Sequence, residues 1–211
     1  MGFEDVFGHK ELNPSEMICH SGGALGSDAT WETKGDGYGV KTKAYSYKTE
    51  YHNSTNKVEI SEEDFLEGID EVNKANRHLG RYGIHKYMNL LARDWSQIKH
   101  SDQIFAVGYI VEPGGKSPKG YYSKSKYQTV DGGTGYGVMM GINHDKDVFV
   151  FEQDKRKWYR WSHDMMSFLE LSETPRITCN NFAGIGTRNI TKGGIAAIDN
   201  VYRKTFPDID I

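Results

Sequence analysis

Three glycine-rich segments, each between an apolar run and a helix-like run, constrain this chain most. They are Ser21-Gly-Gly-Ala-Leu-Gly-Ser-Asp28, Asp131-Gly-Gly-Thr-Gly-Tyr-Gly137 and Ala183-Gly-Ile-Gly-Thr-Arg188. Glycine lets a backbone approach a ligand closely, and the helix start that follows presents unpaired N–H groups with a partial positive charge. Because all three stand at a strand-to-helix position, they predict an open α/β sheet whose loops converge on one ligand at the carboxyl ends of the strands.

Length and charge exclude several classes of protein. The 211 residues fit one domain, with residues 1–16 as an amino-terminal extension. The net charge of -3 mixes both signs along the chain, so we expect no binding of duplex nucleic acid. No run approaches the length of a membrane span, and the amino terminus has no apolar core of signal-peptide length. We therefore expect no membrane partner.

Cysteine and histidine usage bears on location and metal binding. Cys19 and Cys179 lie far apart without a Cys-x-x-Cys spacing, which favours reduced thiols and a cytoplasmic location. The eight histidines show no ligand spacing, so we assign no metal and no cofactor. The 13 tyrosines indicate a ligand surface only where they are exposed.

Hydrophobic periodicity predicts alternating strands and helices. The predicted strands cover residues 17–20, 40–47, 103–107, 147–151 and 177–182, with an edge hairpin at 157–161. The predicted helices follow the glycine segments and also cover residues 62–79, 87–95, 164–171 and 190–206. Residues 48–57 are expected to form a polar loop. Residues 108–131, rich in Gly, Pro, Ser, Lys and Tyr, predict an inserted loop or hairpin that is a candidate lid.

Candidate ligand-binding residues follow from these segments. Asp28 is assigned as a helix N-cap in preference to a ribose contact, and Arg188 as either an anion clamp or a surface ion pair. Arg93, on an otherwise apolar helix, is a candidate for pointing toward the cleft. The full candidate set is Ser21, Gly22, Gly23, Ser27, Asp28, Arg93, Gly132, Gly133, Thr134, Gly135, Gly184, Gly186, Thr187 and Arg188.

The motifs resemble a known superfamily. His20-Ser-Gly-Gly-Ala-Leu-Gly-Ser-Asp28, Asp131-Gly-Gly-Thr-Gly135 and Asn181-Phe-Ala-Gly-Ile-Gly-Thr-Arg188 resemble the YpsA-like branch of the SLOG superfamily, which includes DprA-like proteins and the LOG nucleotide hydrolases. In those proteins the Ala-Gly-Ile-Gly unit comes first, whereas here it comes last. The order therefore resembles the circularly permuted YpsA-like group, which carries a molybdenum-carrier label.

The resemblance implies a fold and a function. The fold is α/β: a Rossmann-like open, mostly parallel sheet with helices on both faces, circularly permuted. The implied partner is a nucleotide-like small molecule, and self-association to a homo-oligomer is also implied. Among the candidate residues, those on the superfamily's motif positions are Gly22, Gly23, Asp28, Arg93, Gly132, Gly133, Thr134, Gly184 and Arg188.

One departure from the LOG pattern separates two functions. The LOG hydrolases use Pro-Gly-Gly-x-Gly-Thr-x-x-Glu, and here Asp131, Tyr136 and Met139 replace its Pro, Thr and Glu. The leading hypothesis is therefore a binding protein for a nucleotide or nucleotide-derived molecule, acting as a sensor or sequestering module. The alternative is a nucleotide hydrolase of the LOG phosphoribohydrolase type, with Asp28, Asp131 or Glu152 as its carboxylate. No thiolate or histidine cluster offers ligands to a soft metal.

Overall fold

A computed structural model describes residues 12–52 and 54–209. The strands are β1 (Ile18–Ser21), β2 (Lys41–Ser46), β3 (Lys57–Glu59), β4 (Gln103–Gly108), β5 (Ile110–Val111), β6 (Thr129–Val130), β7 (Asp147–Glu152), β8 (Lys157–Ser162), β9 (Ser167–Glu170) and β10 (Asn181–Gly186). The α-helices are α1 (Ser27–Gly37), α2 (Glu62–Leu79), α3 (Met88–Lys99), α4 (Thr134–Asn143) and α5 (Lys192–Thr205). Single 3-10 turns cover Pro14–Glu16 and Ile84–Tyr87.

Eight of these strands form one mostly parallel sheet in the order β3-β2-β1-β10-β4-β7-β8-β9. The first six in that order run parallel, whereas β8 and β9 are antiparallel to their neighbours. This architecture confirms the expected open Rossmann-like fold. The last strand of the chain, β10, lies in the middle of the sheet, between β1 and β4. The permutation relative to the SLOG order stays a prediction.

Helices cover both faces of the sheet, as expected. Helices α1 and α5 pack on one face over a cluster that contains Trp31, Phe182 and Tyr202. Helices α2, α3 and α4 pack on the other face over a cluster that contains Trp95 and Ile104. Parallel strands buried on both sides read as continuous apolar runs, which is why β4 and β7 were recognisable in the sequence.

Helix α2 matches its predicted bounds because its signals are local. The Ser61 hydroxyl accepts a hydrogen bond from the Asp64 backbone N–H at 3.0 Å, which caps the amino terminus. At the other end Gly80 adopts a left-handed conformation with φ of 60°, which L side chains rarely take. Within residues 108–131, expected to form an inserted loop or hairpin, β5 and β6 pair antiparallel.

Three predicted elements need correction. The predicted helix at 164–171 is wrong, because the chain turns and returns as β9, where Phe168 is buried beside Trp161 and Leu169 is exposed. The predicted strand at 177–182 runs instead over Asn181–Gly186, so Gly184 and Gly186 lie in a strand and not in a turn. The end of the predicted loop at 48–57 contributes Lys57 to the short edge strand β3.

Gly184 is required by packing. A Cβ atom on this residue would lie 2.5 Å from Trp31 Cγ, a distance that real Cβ atoms do not reach. Trp31 is fully buried between the sheet and α5, so its ring has no room to move away. The glycine therefore sets how closely α1 can approach β10.

We expect Gly184→Val to destabilise the protein by about 2–3 kcal/mol through overpacking against Trp31. Urea denaturation followed by tryptophan fluorescence measures this change. The matched control is Gly193→Val in the first turn of α5, where a Cβ meets nothing closer than 3.4 Å and the cost should stay below about 1 kcal/mol. Equal midpoints for the two variants would contradict the packing role of Gly184.

Candidate functional site

A cleft of about 1310 Å³ opens at the carboxyl ends of the central strands. Its walls come from the segments after β1, β4 and β10, from α3, from the start of α4 and from the 108–131 hairpin. Ligand pockets in proteins commonly enclose about 300–1000 Å³, so this cleft is large enough for a small-molecule ligand. Its position matches the edge of an open α/β sheet where ligands bind.

The cleft brings together eight of the candidate residues. They come from all three glycine segments and from α3, and they are Asp28, Arg93, Gly132, Gly133, Thr134, Gly186, Thr187 and Arg188. The convergence of distant segments at one cleft is what the glycine pattern predicted. Six candidates do not line this cleft: Ser21, Gly22, Gly23, Ser27, Gly135 and Gly184.

The two serines among these six hold the first and third segments together. The Ser21 hydroxyl donates to the Gly184 carbonyl at 3.0 Å, and the Ser27 hydroxyl donates to the Thr187 carbonyl at 2.9 Å. Both serines are fully buried. Their role in the structure is to join strand ends, since each hydroxyl proton is already engaged by the protein.

Three of the glycines outside the cleft make room for other groups. A Cβ on Gly22 would overlap Arg93 Nη1, and a Cβ on Gly135 would lie 2.0 Å from the Val130 carbonyl oxygen. Gly23 has a φ of 61° and faces the His52 ring. Close packing within the protein explains these glycines without a ligand.

Two glycines of the second segment, Gly132 and Gly133, are different, because they face open space. A Cβ on Gly132 would meet nothing within 4 Å, and one on Gly133 would meet only Leu91 Cδ2 at 3.8 Å. Helix α4 begins here without a hydrogen bond from a capping side chain. The Arg81 guanidinium donates to the carbonyls of Gly132 and Val130 and thereby anchors the turn. The start of α4 thus combines a helix N-terminus that lacks a side-chain cap with an adjacent half-buried cation.

The first segment is occupied by a carboxylate of the protein itself. The N-cap of α1 is Gly26, so the predicted N-cap role of Asp28 is wrong. Asp28 lies two residues after this N-cap, and its Oδ2 accepts a hydrogen bond from the Ala24 backbone N–H at 3.4 Å. Burial raises the pKa of Asp28 to about 6, while Arg93 and the backbone N–H groups of this bend oppose the rise.

Arg93 lies between two carboxylates on the wall of the cleft. Its Nη1 is 3.5 Å from Asp94 Oδ1, and the same nitrogen approaches Asp28 across the space left by Gly22. Burial raises the pKa of Asp94 to about 7; Arg93 lowers it and Asp28 raises it further. Arg93 is only 5% exposed, and its Nη1 has no hydrogen-bond partner among the residues described. This cluster is polar, buried and incompletely satisfied.

The remaining carboxylate candidates differ in position. Asp131 lines the cleft next to the start of α4. Glu152 does not line this cleft, because its Oε2 accepts from the Lys155 backbone N–H at 2.6 Å and closes the turn between β7 and β8. Glu152 therefore has a structural role at the carboxyl end of β7. Arg188 is exposed at the mouth of the cleft and forms no ion pair within residues 12–52 and 54–209, which leaves its guanidinium open to a ligand.

Several residues of the cleft were missed in the sequence. Arg81 and Asp94 line it, and so do the exposed side chains of Tyr82, Tyr87, Tyr121 and Tyr122. Asp94 had a signal, since a carboxylate next to Arg93 on an apolar helix face is costly to bury without a purpose. The tyrosines had only composition as a signal, because exposure is decided by tertiary structure.

The described residues hold neither a cluster of side chains that could hold a metal ion nor a helix that could span a membrane. It contains no group of three or more His, Cys, Asp or Glu residues that could hold a metal ion. Cys19 and Cys179 are free thiols, and burial raises their pKa values to about 12 and about 11. None of the helices in residues 12–52 and 54–209 is long and apolar enough to cross a membrane.

Comparison with known proteins adds no assignment. Searches against protein-family models, curated proteins and solved structures found no match to this chain. The interpretation of the cleft therefore depends on its residues and their geometry.

The Asp28–Arg93–Asp94 cluster predicts a pH-dependent stability. Both carboxyls have higher pKa values in the folded chain than the usual 3.8. The folded chain therefore binds more protons than the unfolded chain between pH 3.8 and about 7. Stability therefore falls as the pH rises through that window. Asp94→Asn removes one of these ionisations, and we expect the variant to exceed the wild type by roughly 1–3 kcal/mol near pH 8 and to equal it near pH 4.

Urea midpoints across this pH range measure the effect. Asp154→Asn, at an exposed position in the turn between β7 and β8, is the control and should leave the pH profile of stability unchanged. A parallel pH profile for Asp94→Asn and the wild type would show that Asp94 ionises in the folded chain as it does in water.

Proposed function

We propose that this protein binds a phosphorylated, nucleotide-like small molecule in the cleft. The observation that carries the proposal is the open helix start at Gly132 and Gly133, which lines the same cleft as Arg93 and Arg188. The backbone N–H groups at the start of α4 offer donors to this cleft. An anionic oxygen bound there would accept from these N–H groups.

Charge at the mouth of the cleft supports an anionic ligand. Arg188 and Lys119 are exposed side chains that line it, and neither forms an ion pair within the described ranges. Arg81 adds a third cation beneath the Gly132 turn. Cations and a helix N-terminus around one cleft attract phosphate by both charge and hydrogen bonding.

The carboxylates support a sugar next to the phosphate. Asp28 and Asp94 line the cleft beside Arg93, and carboxylate oxygens accept hydrogen bonds from hydroxyl groups. A ligand with vicinal hydroxyls would satisfy these oxygens at lower cost than a second anion, which the two acids would repel. A phosphate next to a sugar with vicinal hydroxyls is common to nucleotides and sugar phosphates, and the SLOG resemblance favours a nucleotide. The two free thiols agree with a cytoplasmic protein.

Gly133→Val tests the phosphate position. Its side chain would occupy the space in front of the α4 start, so we expect the affinity for AMP and for ribose 5-phosphate to fall at least about tenfold. Isothermal titration measures the affinities, and a urea midpoint close to that of the wild type verifies the fold. Gly193→Val, at the start of α5 and outside the cleft, should bind like the wild type. An unchanged affinity in Gly133→Val would remove this turn from the site.

Titration of the wild type with nucleoside mono-, di- and cyclic phosphates and NAD derivatives tests the function itself. We expect saturable binding of at least one phosphorylated member with the ligand recovered intact. Failure of every phosphorylated compound to bind would overturn the proposal.

The Asp28–Asp94 pair favours a second candidate function, hydrolysis of the N-glycosidic bond of the bound nucleotide. Two carboxyls with pKa values of about 6 and about 7 provide one acid and one base near neutral pH. The base would take a proton from water as its oxygen bonds to the anomeric carbon. The acid would protonate the departing nitrogenous base as the carbon–nitrogen bond breaks.

Product analysis separates the two candidates. A hydrolase should release free base and sugar phosphate, and Asp94→Asn should reduce that turnover at least about 100-fold while binding persists. The Asp154→Asn variant should retain wild-type turnover, since it lies outside the cleft. Recovery of intact nucleotide after prolonged incubation with the wild type would exclude hydrolysis.

A further inference from the structure

Four exposed tyrosines line the cleft. Five of the 13 tyrosines are exposed in the described residues, and four of these five line the cleft. Tyr82 and Tyr87 come from the connection between α2 and α3, and Tyr121 and Tyr122 come from the 108–131 hairpin. Tyr82 is 82% exposed and Tyr121 is 73% exposed. Two separate parts of the chain thus bring aromatic rings to the same cleft.

Aromatic packing within the protein does not account for these rings. None of the four contacts another aromatic ring within residues 12–52 and 54–209, whereas the buried tyrosines Tyr38, Tyr45 and Tyr202 all do. Large exposed apolar surface in a cleft commonly marks a binding site. Tyrosine offers a flat, rigid face at a small entropy cost, which suits stacking on a planar ligand.

Lysines accompany the tyrosines. Lys124 Nζ lies 4.3 Å from the centre of the Tyr82 ring and 3.2 Å from its hydroxyl oxygen. Lys119, on the same hairpin, also lines the cleft. Aromatic rings interleaved with cations recognise groups that are planar and attached to an anion. A lipid chain would need apolar walls without such charges.

We propose that the tyrosines of the hairpin and of the α2–α3 connection form a subsite for the aromatic base of the cleft ligand. The subsite rests on the proposed function, since the same ligand places its phosphate near the start of α4. The hairpin at residues 108–131 is then a specificity element: it distinguishes ligands that carry a base from sugar phosphates that do not. Because every base offers a π face, the subsite recognises the presence of a ring more strongly than its identity.

A comparison of AMP with ribose 5-phosphate tests this subsite separately from the phosphate site. For the wild type we expect AMP to bind at least about tenfold more tightly, because only AMP carries a ring to stack. Tyr82→Ala and Tyr121→Ala should each weaken AMP binding about 5- to 100-fold and leave ribose 5-phosphate binding unchanged. Tyr82→Phe and Tyr121→Phe keep the rings and should restore AMP affinity.

Tyr51→Ala is the matched control, because Tyr51 is 90% exposed and lies outside the cleft. It should bind both compounds like the wild type. Equal affinities of the wild type for AMP and ribose 5-phosphate would overturn the base subsite while leaving the phosphate site in place. An equal loss of both compounds in the alanine variants would overturn it as well. Failure of both compounds to bind the wild type would overturn the subsite, whereas the proposed function is overturned only if every other phosphorylated compound in the titration panel also fails to bind.

Discussion

The cleft depends on the insertion of β10 between β1 and β4. Parallel pairing on both sides aligns its carboxyl end with theirs, and the Ser27 backbone N–H then donates to the Thr187 carbonyl at 3.1 Å. The backbone of Gly26 approaches that of Arg188 so closely that no Cβ fits between them. Since β10 is far from β1 and β4 in the sequence, these contacts are long-range, and such contacts are typical of parallel sheets that fold slowly.

Burial of the charged groups on the wall of the cleft is electrostatically unfavourable. Asp28, Arg93 and Asp94 are withdrawn from water, and burial outweighs the attraction between the guanidinium and either carboxyl. The Gly184–Trp31 contact and the apolar clusters on both sheet faces offset this cost. A group left partly unsatisfied in an otherwise well-packed protein is common where a ligand completes the arrangement.

The glycine segments have two physical roles that their composition does not distinguish. Gly22, Gly26 and Gly184 allow close packing of one part of the protein against another. Gly132 and Gly133 instead leave open space before α4. The proposed phosphate position is therefore at the second segment, whereas Asp28 occupies the first segment and the third segment belongs to strand β10.

Local signals in the sequence determined the alternation of strands and helices and the bounds of α2. They also predicted that the three glycine segments converge. Apolar runs, the Ser61 cap and the Gly80 stop act over a few residues and are readable without the fold. Tertiary structure decided where β10 begins and ends, that residues 167–170 form strand β9 and not a helix, and which groups surround Asp28. Each depends on neighbours distant in the chain: Trp31 against Gly184, Trp161 against Phe168, and Arg93 against Asp28. Burial and exposure exist only once these neighbours meet, and with them the raised pKa values of Asp28 and Asp94 and the exposed tyrosines that line the cleft.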